Sequence, residues 1–204
     1  MYKKISEELI DFIKNSPTAF HAIDNISKRL KENGYEELLE GRRWNIKAGG
    51  KYFVTRNNSS IIALNIGTKL DNYSFNVAAS HSDSPTFKIK ENAEIEVRGK
   101  YTKLNTEGYG GMLCSTWFDR PLSIAGRVLV KEDDTYVTKL VDIDRDLVMI
   151  PNVAIHMNRK INDGYAYNKR HQRRRHHPGP QQARHRQHAA GRKQGRLHLP
   201  GNRC

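Results

Sequence analysis

A mostly apolar run that stops at a polar loop is the feature that most restricts the fold of this chain. The run covers residues 75–79, and the loop after it begins near His81 and reaches Pro85. The run predicts a buried strand, and Pro85 prevents a central strand from continuing through the loop. In open α/β sheets, ligands bind where strands end in this way. The feature therefore favours an α/β fold with a site at this loop.

A histidine and an aspartate lie in the loop, separated by one residue. The imidazole of His81 can bind a metal through one ring nitrogen, and the carboxylate of Asp83 can hold the other nitrogen and fix the tautomer. An ordinary turn, whose polar residues only cap the backbone, would carry the same residue types. Taken alone, the motif leaves both interpretations open.

The residues before this loop predict two helices and a hairpin. Apolar residues recur at helical spacing over 4–14, and Thr18 is placed to cap a second helix that Gly34 closes. Residues 51–55 and 60–66 predict two strands joined by a short turn. The first half of the chain is therefore expected to mix α and β structure.

The residues from Phe87 onward predict almost only β structure. Short alternating segments lead to a second hairpin, formed by residues 122–130 and 136–143. The glycine-rich segment 108–111 lacks the spacing of a phosphate-binding loop, so we reject that function for it.

Two further polar groups occur within this β-rich part. Asp119 and Arg120 directly follow two aromatic residues, which is typical of a packing corner closed by an ion pair. His156 follows another apolar run and, taken by itself, is typical of a structural or surface histidine. Neither group identifies a site on its own.

The positive charge of the chain is concentrated at one end. The net charge is +13, and residues 170–204 contribute +10 of it, because they hold nine Arg, one Lys and no acidic residue. They also contain no Ile, whereas residues 1–169 contain sixteen. Such a tail has too little apolar surface to offset its ordering entropy, which predicts a disordered segment that binds nucleic acid only nonspecifically. A frameshift or chimeric junction near Lys169 would produce the same change, and we favour that interpretation.

The composition also bears on compartment. No apolar run approaches the roughly 20 residues of a membrane span, and no signal-peptide core follows Met1. The two cysteines, Cys114 and Cys204, indicate neither a disulfide framework nor a cysteine-rich zinc site. We therefore expect a cytoplasmic protein with no membrane partner.

Six segments taken together resemble the M18 family of zinc aminopeptidases. They occur in the family's order, cover about residues 5–169, and are 16–22, 49–57, 79–90, 107–111, 115–122 and 154–159. Six ordered matches are far more specific than any one of them. The resemblance therefore favours the metal-site interpretation of the loop at His81.

The resemblance implies an α/β/α metallopeptidase domain, whose first part is residues 1–88. It implies that a mostly β domain, inserted at residues 89–169, builds subunit contacts in a homo-oligomer. The substrate it implies is a peptide that loses its N-terminal residue. Residues 170–204 are expected to lie outside the family's native sequence.

The resemblance also implies roles for three side chains. His81 is expected to bind one of two zinc ions, and Asp83 to orient it. His156 matches a family histidine that reaches toward an active site, its own or a neighbour's, and helps to stabilise the oxyanion. Paired metal ions suit peptide hydrolysis, because they activate water near neutral pH and polarise the scissile carbonyl.

Finally, the resemblance implies what this chain lacks. The family's other ligands are a bridging aspartate, further acidic residues that include a general-base glutamate, and a late histidine. No Asp or Glu follows Lys169 in this chain. We therefore expect the first part of an aminopeptidase, inactive on its own. The alternatives are a polyanion-binding protein that acts through the tail and a catalytically dead structural paralogue that joins the family's assemblies.

Overall fold

Helices precede strands in the computed structural model, which describes residues 2–71 and 74–164. The helices and strands are α1 (Tyr2–Lys14), α2 (Ala19–Glu32), β1 (Glu36–Leu38), β2 (Lys51–Arg56), β3 (Ser60–Asn65), β4 (Thr86–Val97), β5 (Tyr101–Tyr109), β6 (Pro121–Leu122), β7 (Ala125–Glu132), β8 (Thr135–Asp142) and β9 (Val148–Met149). Short 3-10 helices cover Cys114–Trp117, Ile155–Met157 and Ile161–Asp163. This order confirms the predicted α/β class. The predictions made for residues 170–204 lie outside the described residues.

Helix α2 begins and ends where the sequence predicts. The hydroxyl of Thr18 accepts the backbone N–H of His21, at 3.4 Å. Beyond the other end, Gly34 adopts a left-handed φ of 79°. The two N–H groups at and after this glycine bond back to the carbonyls of Lys31 and Leu30, each at 3.0 Å. These bonds form a Schellman motif, which satisfies the last carbonyls of the helix.

The three-stranded sheet β1-β2-β3 contains most of the buried core. Strand β2 is central, and pairs parallel with β1 and antiparallel with β3. Its successive residues Tyr52, Phe53 and Val54 are all buried, and Phe53 is fully enclosed. Helix α2 contacts β2 and β3 and buries Ile23. Since β2 is buried on both faces, its apolar residues form a continuous run rather than an alternating one.

The turn chemistry of both predicted hairpins is confirmed. Asn57 and Asn58 have φ of 53° and 52° between β2 and β3, which asparagine tolerates better than most residues. Strands β7 and β8 pair over their full lengths around a turn in which Asp133 has a φ of 51°. In each case polar turn residues set the register of the strands.

The strand predicted at residues 75–79 does not form. The described residues 74–85 contain no strand, and the side chains of Phe75 and Val77 are 85% and 82% exposed. A strand needs neighbouring backbone groups as well as apolar side chains. Within the described part of the chain, no strand pairs with this segment. The apolar pattern alone therefore did not produce a strand in this segment.

The contacts divide the described chain into two units. One contains residues 2–88 and 108–164, and the other contains residues 89–107, the distal part of the β4–β5 hairpin. The domain boundaries expected at residues 88 and 169 stay predictions. None of the helices in the two described ranges is long and apolar enough to cross a membrane.

An exposed ion pair at the end of β2 gives a testable pH dependence. The guanidinium of Arg56 donates from Nε to Oε1 of Glu40 at 2.7 Å. This hydrogen bond lowers the pKa of Glu40 and raises that of Arg56. We expect Glu40 to titrate below the ~4.3 of an unperturbed glutamate, and Arg56→Gln to return its pKa to that range. NMR titration of the carboxyl carbon measures both values.

The sign of the effect on stability follows from the lowered pKa. A carboxyl whose pKa is depressed by folding stabilises the protein above its unfolded pKa, and this contribution disappears as the pH falls through the folded value. The matched control is Arg42→Gln, which removes an exposed guanidinium with no ion pair among the described residues. An unchanged Glu40 pKa in Arg56→Gln contradicts the assignment.

Candidate metal centre

A side-chain hydrogen bond attaches the loop that carries His81 to the β1-β2-β3 sheet. The hydroxyl of Ser82 donates to the carbonyl of Ser59 at 3.1 Å, in the turn between β2 and β3. This bond links the loop to the end of the hairpin whose geometry is set by Asn57 and Asn58. The loop then leads into β4 at Thr86. The position of His81 therefore depends on the β2–β3 turn.

The structure brings His81 and Asp83 into direct contact. Nδ1 of His81 lies 2.8 Å from the backbone carbonyl of Asp83 and 3.2 Å from its Oδ1. Both neighbours are acceptors, so Nδ1 must carry the proton, and Nε2 keeps a free lone pair. The imidazole is 82% exposed. This is the tautomer that a metal ligand binding through Nε2 requires.

A tyrosine that the sequence did not single out completes the cluster. The hydroxyl of Tyr109, the last residue of β5, donates to Oδ2 of Asp83 at 2.6 Å. This hydrogen bond is the main reason that the pKa of Asp83 is lowered, with smaller contributions from its own backbone N–H and from His81. The same contact raises the pKa of Tyr109. The carboxylate is therefore ionised at neutral pH and accepts from both partners.

One signal in the sequence could have found Tyr109. It lies in the segment 107–111, one of the six that carry the family resemblance. The glycine spacing of residues 108–111 excludes a phosphate-binding loop, and the resemblance gives Tyr109 no role of its own. Tyr109 and Asp83 are 26 residues apart, so no local pattern connects them.

The structure places His156 in an exposed 3-10 helix, Ile155–Met157. Within residues 2–71 and 74–164, no hydrogen bond or ion pair joins it to His81 or Asp83. Its catalytic role stays a prediction, as do the roles of His81 and Asp83.

The segment before His156 is held by Asp119, in a way that corrects one expectation. Oδ1 of Asp119 accepts the backbone N–H of Asn152 at 2.8 Å. Arg120 donates instead to the carbonyl of Thr116 at 3.4 Å, so the expected Asp119–Arg120 ion pair does not form. Asp119 has a left-handed φ of 52°, and its carboxylate accepts a hydrogen bond from the backbone N–H of Asn152.

The donor set fits one ligand position of a zinc ion and not a whole site. Zinc in proteins takes three or four protein ligands from His, Cys, Asp and Glu. Among the residues that the structure describes, no group of three or more such side chains could hold a metal ion. The imidazole of His81, protonated on Nδ1, is suited to one such position.

Comparison with known proteins gives one family. The family model described as aminopeptidase I zinc metalloprotease (M18) matches residues 12–196. A Clostridium novyi protein named "Probable M18 family aminopeptidase 2" is 48% identical over 169 residues, which are 81% of this chain and 39% of that protein. The chain thus spans about two-fifths of the length of such curated relatives. The expectation that residues 170–204 are foreign to the family stays a prediction.

Two solved structures of aminopeptidases illustrate the similarity in fold. A cryo-EM structure of the Ape4 and Nbr1 complex matches with a TM-score of 0.77 and 40% identity, over 81% of this chain and 32% of that chain. The S. cerevisiae mApe1 dodecamer matches with a TM-score of 0.65 and 30% identity, over 76% of this chain and 37% of that chain.

Proposed function

This chain belongs to the M18 family of zinc aminopeptidases, and we propose that it carries part of a metal-dependent aminopeptidase in which His81 is a zinc ligand. The observation that supports the proposal is the contact of Nδ1 of His81 with two oxygens of Asp83, which leaves Nε2 exposed as a donor. The substrate we propose is a peptide that loses its N-terminal residue.

The described residues prepare one ligand. The carboxylate of Asp83 stays ionised, holds the proton of His81 on Nδ1 and fixes the ring plane. When bound, zinc would polarise the scissile carbonyl and activate water for attack. Two zinc ions, as in the family, are part of the proposal, and the other ligands are expected outside the described residues.

We also carry over the role of His156. Its imidazole lies in an exposed 3-10 helix, and the segment before that helix is pinned by Asp119. An exposed imidazole on a held segment can donate to a developing oxyanion. This part of the proposal rests on the family resemblance.

The proposal includes a homo-oligomer in a reducing cytoplasm. The related mApe1 structure is a dodecamer. Leu129 and Tyr136, on the same face of the β7–β8 hairpin, are both largely exposed. Large apolar side chains on one face suit burial against another subunit. The cytoplasmic compartment rests on the presence of only two cysteines.

Two alternatives remain. Polyanion binding depends on residues 170–204, which lie outside the described residues. A catalytically dead paralogue would keep the oligomer contacts and lose turnover.

A chimera tests the proposed function. Residues 1–169 of this chain would replace the matching segment of the Clostridium novyi relative, to which the chain is 48% identical over 169 residues. We expect the chimera with zinc to release N-terminal residues from peptides, and His81→Ala to reduce the rate to background, because a ligand is lost. The control is Lys28→Ala, an exposed side chain of α2 whose loss should leave the rate unchanged. Full activity of His81→Ala contradicts the proposal.

A further inference from the structure

The hydroxyl of Tyr109 and the ring of His81 contact the same carboxylate from two sides. Tyr109 donates to Oδ2 of Asp83 at 2.6 Å, while Oδ1 lies 3.2 Å from Nδ1 of His81. The geometry points to Tyr109 as a positioning residue that fixes the tautomer and orientation of His81 through Asp83. This inference rests on the proposed function, because it treats His81 as a zinc ligand.

The His81–Asp83 contact needs such support because it lies in an exposed loop. The side chains of His81 and Asp83 are 82% and 42% exposed. A charged contact between exposed side chains contributes little by itself, since water competes and both side chains lose rotational freedom. The hydrogen bond from Tyr109 to Oδ2 already restricts the rotation of the Asp83 carboxylate. Oδ1 of the same carboxylate therefore stays close to Nδ1 of His81.

The distance between the tyrosine and the carboxylate is typical of a strong hydrogen bond. O–H donors approach ionised carboxylates to about 2.5–2.7 Å when the bond is charge-assisted. A tyrosine hydroxyl carries its proton at neutral pH. Tyr109 is therefore the donor to Oδ2 of Asp83 in this hydrogen bond.

The backbone next to Tyr109 holds it against the loop. Gly110 adopts a left-handed φ of 72°, and a Cβ at this position would lie 3.5 Å from Pro85. Pro85 ends the loop that carries His81 and Asp83. Gly110 therefore lies directly against this loop and places the neighbouring Tyr109 beside Asp83.

The tautomer of His81 is the property that separates this role from a merely structural one. An imidazole without a partner prefers to carry its proton on Nε2, which would block metal binding there. The backbone carbonyl of Asp83 and its carboxylate both favour the Nδ1–H form. Releasing the carboxylate removes one of these two acceptors. The proportion of the Nε2–H form should then rise.

The test measures the ring nitrogens of His81 by ¹⁵N NMR in the sedimented full chain, with labelled histidine. The signal of His81 is assigned from its loss in His81→Gln. We expect mainly the Nδ1–H form in the unchanged chain. Tyr109→Phe should raise the ratio of Nε2–H to Nδ1–H by about 2- to 10-fold, the range of a typical net hydrogen bond. Tyr2→Phe, a control at an exposed tyrosine of α1, should leave the ratio unchanged.

A second variant keeps the test decisive. Asp83→Asn should raise the ratio at least as much as Tyr109→Phe, and the double variant should add little, since both changes act through one carboxylate. An unchanged ratio in Tyr109→Phe overturns the role of Tyr109. The proposed function would still hold if the chimera is active and loses that activity in His81→Ala. If His81 in the unchanged chain is mainly in the Nε2–H form, the inference is wrong, because Asp83 then does not hold the proton on Nδ1.

Discussion

We expect the purified 204-residue chain to release no amino acid from peptides above the buffer rate, even with zinc added. A catalytic zinc site needs three protein ligands that converge on one ion. In residues 2–71 and 74–164, no group of three His, Cys, Asp or Glu side chains could hold a metal ion. His81, oriented by Asp83, offers a single candidate ligand. The chain also spans only 39% of the length of its Clostridium novyi relative.

The assay needs two controls. The complete Clostridium novyi relative, in the same buffer and with the same peptides, shows that zinc and substrate are adequate. A variant that ends at residue 169 removes six histidines that could bind zinc loosely. Turnover that survives desalting and disappears in His81→Ala would show that the chain is active by itself.

Phe53→Ala should reduce the free energy of unfolding by about 3–5 kcal/mol, the usual range for a buried phenylalanine. The ring of Phe53 has no exposed surface, and it lies in the central strand of the β1-β2-β3 sheet. Truncation leaves a cavity on the face of β2 opposite to the buried cluster of Leu38, Tyr52 and Val54, because successive side chains of a strand point to opposite faces. The ammonium of Lys31 in α2 lies 5.8 Å from the centre of the Phe53 ring on that face. A loss of this size is a large part of the roughly 5–15 kcal/mol that stabilises a typical domain.

Urea denaturation followed by circular dichroism measures this loss. The matched control is Phe75→Ala, because Phe75 also lies in an apolar run but is 85% exposed. We expect the control to change the free energy of unfolding by less than about 0.5 kcal/mol, as surface substitutions usually do. Equal losses for the two variants would show that the β1-β2-β3 sheet is not the core of the chain.

Features set by neighbouring residues were predicted well. Thr18 and Gly34 fix the ends of α2 through bonds to residues three to five positions away. The contact between His81 and Asp83 joins residues two positions apart, so the motif alone was enough to suggest it. Both hairpins follow from polar turn residues between apolar runs.

Features that need a distant partner were not predicted. The bond from Tyr109 to Asp83 spans 26 residues, and the bond from Asn152 to Asp119 spans 33. The pattern of Asp119 beside Arg120 suggested an ion pair, but the aspartate bonds a backbone N–H instead. In each case the choice of partner depends on where two separate segments meet.

The sequence was enough to identify the family, to single out His81 and Asp83 one residue apart, and to place the cap of α2 and the turns of the β2–β3 and β7–β8 hairpins. The hydrogen bond from Tyr109 to Asp83, the burial of Phe53 and the exposure of Phe75 became visible only in the folded chain. The physical reason is the range of the interactions. Caps, turns and short motifs are satisfied by nearby residues, whereas burial and strand pairing require groups from distant parts of the chain.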